Sequence, residues 1–442
     1  MNTVSMSNRR KFITTVGAGT VAAVAGCLGS GGDGDGDSGS GTETGGETGG
    51  GTTTGTAGGG SSEPITIAAT VSRSGSFSGA GEDVETAYRL GEKMINDSGG
   101  LLGRDVEVII RDDESDAQKV REGLQAIISN NDVDMIWGTF GSLLVASAAA
   151  VAEREQLPML SANFAYMEPH LNNNYEWTFA PFPKSRDMGV GATKLANLAP
   201  EDDKPVNVGI WQTNTGWGAE LGRVWSEALE ANGHEVVLNE KFQIGASDFS
   251  TLISQSQSAN VEYLLTNPAP GGGITAVKQM QEAGFLPKLA TIERAATITS
   301  WLDATGTAGL YTQSTPGWVP GLVDNGNEAM LEAFRARDGV ASDAYPAPTV
   351  GGSYNVAQTA KQAIETAGTV EPDAVRETLL NTEFKTVLGE FNFDENGMPV
   401  EGDLAPPMGQ WQDDLLRLVI PSDVESEAST DLVYPAPAYE DR

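Results

Sequence analysis

One cysteine and two histidines in 442 residues leave little material for most catalytic chemistry. Cys27 stands alone, so no disulfide framework forms within the chain. His170 and His234 have no second ligand at helical spacing, and a histidine-based zinc site is not expected. The stretch Gly138-Thr139-Phe140-Gly141-Ser142 has the wrong order around its serine for a nucleophile elbow. Asp112, Asp113, Glu114 and Asp116 lack the loop glycine and terminal glutamate of a calcium-binding EF-hand. They read as a solvated face or as an acidic bias at the start of the next helix. No metal, no cofactor and no enzymatic activity are therefore expected.

Positive charge is also scarce. Twenty-seven Lys and Arg face 61 Asp and Glu, a net charge of −34. Nucleic acid is an unlikely partner at that balance, because neutralising phosphate takes Lys and Arg. Flat adsorption on anionic lipid is disfavoured too. The acids are spread along the chain rather than blocked, which fits a surface kept soluble in high salt, where self-repulsion is screened.

What is present begins with an address. Asn8-Arg9-Arg10-Lys11-Phe12-Ile13 leads into a short apolar run that ends Val24-Ala25-Gly26-Cys27. A twin arginine, an apolar stretch short for a bilayer span and small residues before a cysteine make an export signal over residues 1–27. It resembles the twin-arginine lipoprotein signals of haloarchaea and bacteria, which implies cleavage before Cys27 and lipidation of its thiol. The alternatives are an ordinary signal with an incidental cysteine and an uncleaved anchor. Leu28 to Ser62 contains almost only Gly, Ser, Thr, Asp and Glu, with no aromatic residue. Such a stretch cannot bury enough surface to offset its ordering entropy and is expected to be a flexible linker, with a reach of about 30–35 Å. Its formal GxGxxG at Gly29–Gly34 follows no strand and is a compositional accident.

From Glu63 the composition turns globular for 380 residues, enough for two cores. The pattern alternates strand and helix. Strands are expected at Ile65–Ala69, Val106–Ile110, Val133–Trp137, Val206–Trp211, Glu235–Phe242 and Tyr263–Leu265. Helices are expected at about Asp83–Asn96, Ala117–Ser129, Ser142–Glu155, Ala219–Asn232, Phe249–Ser258 and Ile274–Ala283. Strands separated by helices run parallel, and two such runs in tandem make two doubly wound α/β lobes. Ligands in sheets of this kind sit beyond the carboxyl ends of the strands. Asn96-Asp97-Ser98 is a formal glycosylation sequon, although a turn explains the same residues.

Several of those carboxyl-end segments resemble blocks of a known family. Ser72–Gly79, the run Ile95-Asn96-Asp97-Ser98-Gly99-Gly100-Leu101-Leu102-Gly103-Arg104, and Arg111–Asp116 come first. Gly138–Ser142, Gly216-Trp217-Gly218-Ala219 and Ala246–Ser250 follow in order. Together they are similar to the branched-chain amino-acid-binding proteins of ABC transporters, over roughly residues 64–420. The resemblance implies a type I periplasmic-binding-protein fold: two Rossmann-like lobes joined by a three-strand hinge, with the ligand in the cleft. The lobes are expected at 63–182 with 318–402, and at 183–317 with 403–442. The expected function is extracytoplasmic capture of a small ligand, most simply a branched-chain or related amino acid, and its delivery to ABC permease subunits. The expected state is a monomer at the cell surface whose only membrane contact is its lipid anchor. Sensory reception by a membrane transducer and binding of amides, urea or aromatic acids are the alternatives, with a secreted hydrolase disfavoured.

The site follows from the same alignment of blocks. Ser142, after Gly141, stands where the third strand meets the third helix. Read from the residues, it either caps its own helix or meets an anion together with the free amides there. The resemblance implies the second role, towards a ligand carboxylate. Ala165 falls where the family usually carries a hydroxyl, so Asn163, Ser161 or Tyr166 would supply polarity; Asn163 could equally stabilise a turn. Trp217 falls on an aromatic position that closes over the ligand, though a lone tryptophan is most often core. Glu293 falls on an acid for the ligand's ammonium; without the resemblance it reads as a surface acid or a partner of Arg294. Asn267–Gly273 replaces a stretch that often bears a pocket aromatic, implying a roomier wall. Trp318 and Tyr345 lie in segments the family uses near the hinge and rim, or in the core.

Overall fold

The computed structural model describes residues 63–422, 424 and 428–442. The export signal, Cys27 and the linker to Ser62 lie outside the described residues. The first half of the fold is β1 (Ile65–Val71), α1 (Ser78–Asp97), β2 (Val106–Asp112), α2 (Ala117–Ile128), β3 (Met135–Trp137), α3 (Ser142–Glu155), β4 (Met159–Leu160), α4 (Glu168–Asn173) and β5 (Thr178–Phe179). These strands form one sheet in the order β2-β1-β3-β4-β5, parallel throughout. Position in the sheet explains the sequence pattern. β1 has neighbours on both sides and buries all seven residues, so ITIAATV reads as a continuous apolar run. β2, at the edge, alternates at its start, with Val106 and Val108 buried and Glu107 exposed.

The chain then builds α5 (Ser185–Asn197), β6 (Asn207–Thr213), α6 (Gly216–Glu230), β7 (Glu235–Phe242), α7 (Ser250–Ser258), β8 (Tyr263–Thr266), α8 (Pro270–Glu282), β9 (Leu289–Ile292), α9 (Trp301–Thr305) and β10 (Gln313–Ser314). After α10 (Asn327–Arg335), α11 (Pro348–Ala367), α12 (Pro372–Asn381) and the hairpin β11 (Phe384–Thr386) and β12 (Gly389–Phe391), it closes with β13 (Met408–Gln412) and β14 (Leu415–Ile420). The second sheet has the order β14-β13-β10-β9-β8-β6-β7. β6 to β10 are parallel, but β13 pairs antiparallel with both β10 and β14. The expectation of parallel strands thus fails at β13, which is antiparallel to β10 although α10, α11 and α12 lie between them in the chain. Only Asp413 and Asp414 separate Gln412 of β13 from Leu415 of β14, a connection that permits only a hairpin.

The segment after β10 returns to the first half, where α11 packs along α1, and the chain crosses back before β13. With the passage from β5 to α5, three crossings connect the two sheets. Both sheets have a point where neighbouring crossovers diverge, at β1 between β2 and β3 and at β6 between β7 and β8. Loops there splay apart and leave a crevice.

Local chemistry corrects the reading of the acidic segment 112–116. Asp116 is the N-cap of α2, accepting from the amides of Gln118 and Lys119. Asp113 is not solvated at all: it is fully buried and accepts from Ser72 Oγ at 2.5 Å, Thr139 Oγ1 at 2.6 Å and the Ser115 amide at 3.0 Å. It fastens the ends of β1, β2 and β3 together. Asn96 is occupied as well, exchanging both amide hydrogen bonds with the Val106 backbone, which ties α1 to β2.

Candidate functional site

A cavity, partly open to solvent, lies where the carboxyl ends of the two sheets face each other. Its walls come from the loop after β3 (Phe140–Ser142), the loop after β4 (Asn163, Ala165), the start of α6 (Trp217), the segment after β9 (Glu293, Arg294, Thr297), Thr315–Gly317 after β10, and the first turns of α11. All five residues expected from sequence, Gly141, Ser142, Asn163, Trp217 and Glu293, line it.

Gly141 has φ +88°, and its α-carbon lies against Phe77, where an added β-carbon would sit 3.5 Å from the ring. Glycine permits the backbone turn, and the contact with Phe77 is of ordinary van der Waals length. α3 therefore starts at Ser142 with its positive end towards the cavity. The capping role expected as an alternative for Ser142 is not realised: Gly141 is the N-cap and no side chain caps the helix. Among the described residues, Ser142 Oγ and the amides of Ser142 and Leu143 have no hydrogen-bond partner. Asn163 donates to Ser353 Oγ at 3.1 Å, leaving its carbonyl oxygen without a partner in the same set. Of the other polar candidates, Ser161 is fully buried with an unpartnered hydroxyl, and Tyr166 donates to Glu168.

The second wall is built differently. Thr215 caps α6 by accepting from the Gly218 amide, which sets Trp217 at the cavity edge. The indole is buried and donates to Ser185 Oγ at 3.1 Å. Gly216 beside it must be small, because a side chain there would collide with the Tyr166 hydroxyl. Glu293 is 1% exposed. Its carboxylate accepts from the Thr315 amide at 3.0 and 3.1 Å, from Thr315 Oγ1, and from Ser314 Oγ at 3.2 Å. Burial pushes its pKa up to about 7, against the pull of those hydrogen bonds. It is neither a surface acid nor an ion-pair partner of Arg294.

The contacts that join the two halves around the cavity include three side-chain clasps. Asp83 of α1 accepts from the Thr299 amide at 2.9 Å and from Thr299 Oγ1 at 2.7 Å. Glu220 of α6 accepts from the amides of Met167 and Glu168, each at 3.0 Å. Thr297 Oγ1 meets Thr349 Oγ1 at 3.0 Å. Burial raises the Asp83 pKa to about 7.

Two segments lie apart from the cavity. Pro268–Gly273 is not a loose wall: α8 starts at Pro270, with proline in its first turn, four residues before the expected start. The carbonyls of Asn267 and Pro268 instead hold the Arg294 side chain. Trp318 is fully buried core, donating to Asn327, and Tyr345 lies under the Arg335 guanidinium rather than in the cavity. Arg294, Phe182 and Met188 line the cavity without having been singled out as ligand contacts. Arg294 carried one signal, its place at the end of a strand beside Glu293. Phe182 sits on the β5–α5 crossing and Met188 in the first turn of α5, where no periodicity marks a pocket.

Known proteins were compared with this geometry. A Leu/Ile/Val-binding protein homologue from Brucella abortus is 26% identical over 327 residues, covering 72% of this chain and 83% of that protein. Among solved structures, a leucine-binding protein from Thermotoga maritima superposes with a TM-score of 0.70 at 18% identity, covering 80% of this chain and 97% of that one. A branched-chain amino acid transporter substrate-binding protein from Streptococcus pneumoniae, in complex with isoleucine, gives 0.69 at 17% identity, covering 80% and 98%. These superpositions establish the fold, two α/β halves of the type I periplasmic-binding kind. The sequence profile described as periplasmic binding protein matches residues 64–406, and by that match the chain belongs to the periplasmic binding protein family.

Proposed function

We propose that this protein is an extracytoplasmic receptor that closes two lobes over a small carboxylate-bearing solute and hands it to an ABC permease. The observation that carries the reading is the start of α3: two free amides and an unbonded serine hydroxyl at the positive end of a helix, facing the cavity. A carboxylate there gains charge-assisted hydrogen bonds. Gly141, Ser142 and Asn163 serve its oxygens, and Trp217 covers the apolar body. Glu293 supports the second wall, and any ammonium it meets shares acceptor positions already used by Ser314 and Thr315.

The lobes are residues 63–182 with 318–402, and 183–317 with 403–442, swinging on the three crossings. Names of relatives such as the Leu/Ile/Val-binding homologue point to amino acids as the first ligands to try. Upstream, cleavage before Cys27 and lipidation of its thiol would anchor the chain, with the tract to Ser62 as slack for docking. No described helix is long and apolar enough to cross a membrane.

The test is calorimetric titration, in molar salt, with leucine, isoleucine, valine and short carboxylic acids. Saturable binding by at least one, weakened about tenfold in Ser142→Ala, is expected. Absence of binding by all of them, or an unchanged affinity in the variant, overturns the site.

A further inference from the structure

Among the described residues, Arg294 is the only cationic side chain lining the cavity. Its guanidinium lies 4.9 Å from the Trp217 ring and 5.4 Å from the Phe77 ring, so it is held between one aromatic from each half of the fold. Nε donates to the Pro268 carbonyl at 3.0 Å and Nη2 to the Asn267 carbonyl. Two of its five N–H groups are thus spent on anchoring, and no carboxylate among the described residues is within ion-pair distance of it. The backbone at Arg294 has φ +64°, a conformation that non-glycine residues rarely adopt and that turns this side chain into the cavity. The Phe77 ring that it covers also lies against Gly141, so the cation and the amide end of α3 flank the same ring. Enclosing an unpaired cation is costly, and burial already pushes its pKa down to about 9. A ligand anion would remove that cost.

The neighbouring acid does not provide it. The Glu293 oxygens are engaged by Ser314 and Thr315 and make no contact with the guanidinium. The same engagement leaves little acceptor capacity for a ligand ammonium. The side chains of Phe140, Phe182, Met188 and Pro316 give the wall an apolar stretch, beside the hydroxyls of Thr297, Thr315 and Thr349.

We infer that Arg294 is a ligand-binding residue that grips the solute's carboxylate opposite the amides of α3, and that the protein selects net-anionic carboxylic acids with an apolar body, the amino group being dispensable. The inference rests on the reading of the cavity as a carboxylate site. It goes further in assigning the charge recognition to the second half and in moving the ligand class from zwitterions to simple organic acids. Arginine suits the role because its remaining N–H groups present a planar fork to a carboxylate while its faces stay stacked on the rings.

The experiment compares leucine, 4-methylpentanoate and 4-methylpentanamide, then phenylalanine, 3-phenylpropanoate and 3-phenylpropanamide, by calorimetry in molar salt. The full chain and its Arg294→Gln and Arg294→Lys variants are each titrated. In the unaltered protein at least one acid binds as tightly as its amino acid, and about 100-fold tighter than its amide. Arg294→Gln reduces that acid-to-amide preference to below about tenfold, while Arg294→Lys retains a preference. A purely structural role for Arg294 would change thermal stability and leave the preference intact, which overturns the inference. So does an amino acid that binds about tenfold tighter than its deaminated acid, and that result leaves the solute-receptor reading standing. If none of the six binds, the carboxylate site itself fails. The comparison in the unaltered protein needs no variant and decides the ligand class even if Arg294→Gln does not fold.

Discussion

The two walls of the cavity solve the same problem with different materials. The first wall offers small neutral groups on a rigid scaffold: the start of α3, Gly141 and Asn163, all set by short strands of a wholly parallel sheet. The second offers bulk and ionisable groups: Trp217, Glu293 and Arg294, each fixed by side-chain hydrogen bonds or by ring stacking. The first wall can recognise the shape of a carboxylate through backbone amides alone. The second can recognise its charge. Division of labour of this kind makes a complete site only when the halves meet, which is what ligand-driven closure requires.

Disrupting the second wall should have the largest effect. Trp217→Ala removes a buried indole, its bond to Ser185 and one face of the Arg294 stack. A loss of about 3 kcal/mol in denaturant-measured stability is expected, together with loss of measurable ligand binding. On the first wall, Ser142→Pro deletes one amide and the hydroxyl at a helix position where proline fits. Affinity should fall about 100-fold with helix content unchanged by circular dichroism, against about tenfold for Ser142→Ala. Equal losses in the two variants would mean that the hydroxyl, and not the amide, does the binding.

A smaller effect tests the seam between the halves. Asp83 and Glu293 both have folded pKa values of about 7, raised by burial above the ordinary carboxylate range. The folded state then holds more protons than the unfolded chain between about pH 4 and 7, so these groups make stability fall as pH rises through that window. Asp83→Asn should flatten the decline in melting temperature between pH 5 and 8 by a few degrees. A slope as steep as in the parent protein would show that the seam carries no such proton. The smallest effect belongs far from both walls. Arg73 and Glu85 pair at the surface, and Arg73→Ala should cost less than about 1 kcal/mol and leave ligand affinity unchanged.

Much of the frame was legible in the chain because burial imprints periodicity. The helix Ser142–Glu155 and the strand Glu235–Phe242 coincide with the expected boundaries, the first marked by Gly141, the second by polar turns on either side. Legibility failed where one residue type serves two structures. The glycines of 271–273 fell before the expected helix start, yet they follow a proline that starts α8, and Gly273 lets that helix pack closely against Ala295. Asp113 looked like its solvated neighbours because nothing local shows that Ser72 and Thr139 converge on it. The closing hairpin β13–β14 carried no helix to announce it. In the site, Ser142 and Trp217 were found through the family likeness, whereas Arg294 needed the structure. Its meaning depends on Phe77, 217 residues earlier, and on where the Glu293 oxygens point.

The central claim is that one carboxylate is gripped from both walls at once. A double-mutant cycle of Ser142→Pro and Arg294→Gln, measured as calorimetric affinity for the best-binding carboxylic acid in molar salt, tests it most directly. Two groups on one anion should couple by about 1 kcal/mol or more, the double variant losing less than the two single losses combined. Additivity within about 0.3 kcal/mol would place the two groups on different parts of the ligand and contradict the account.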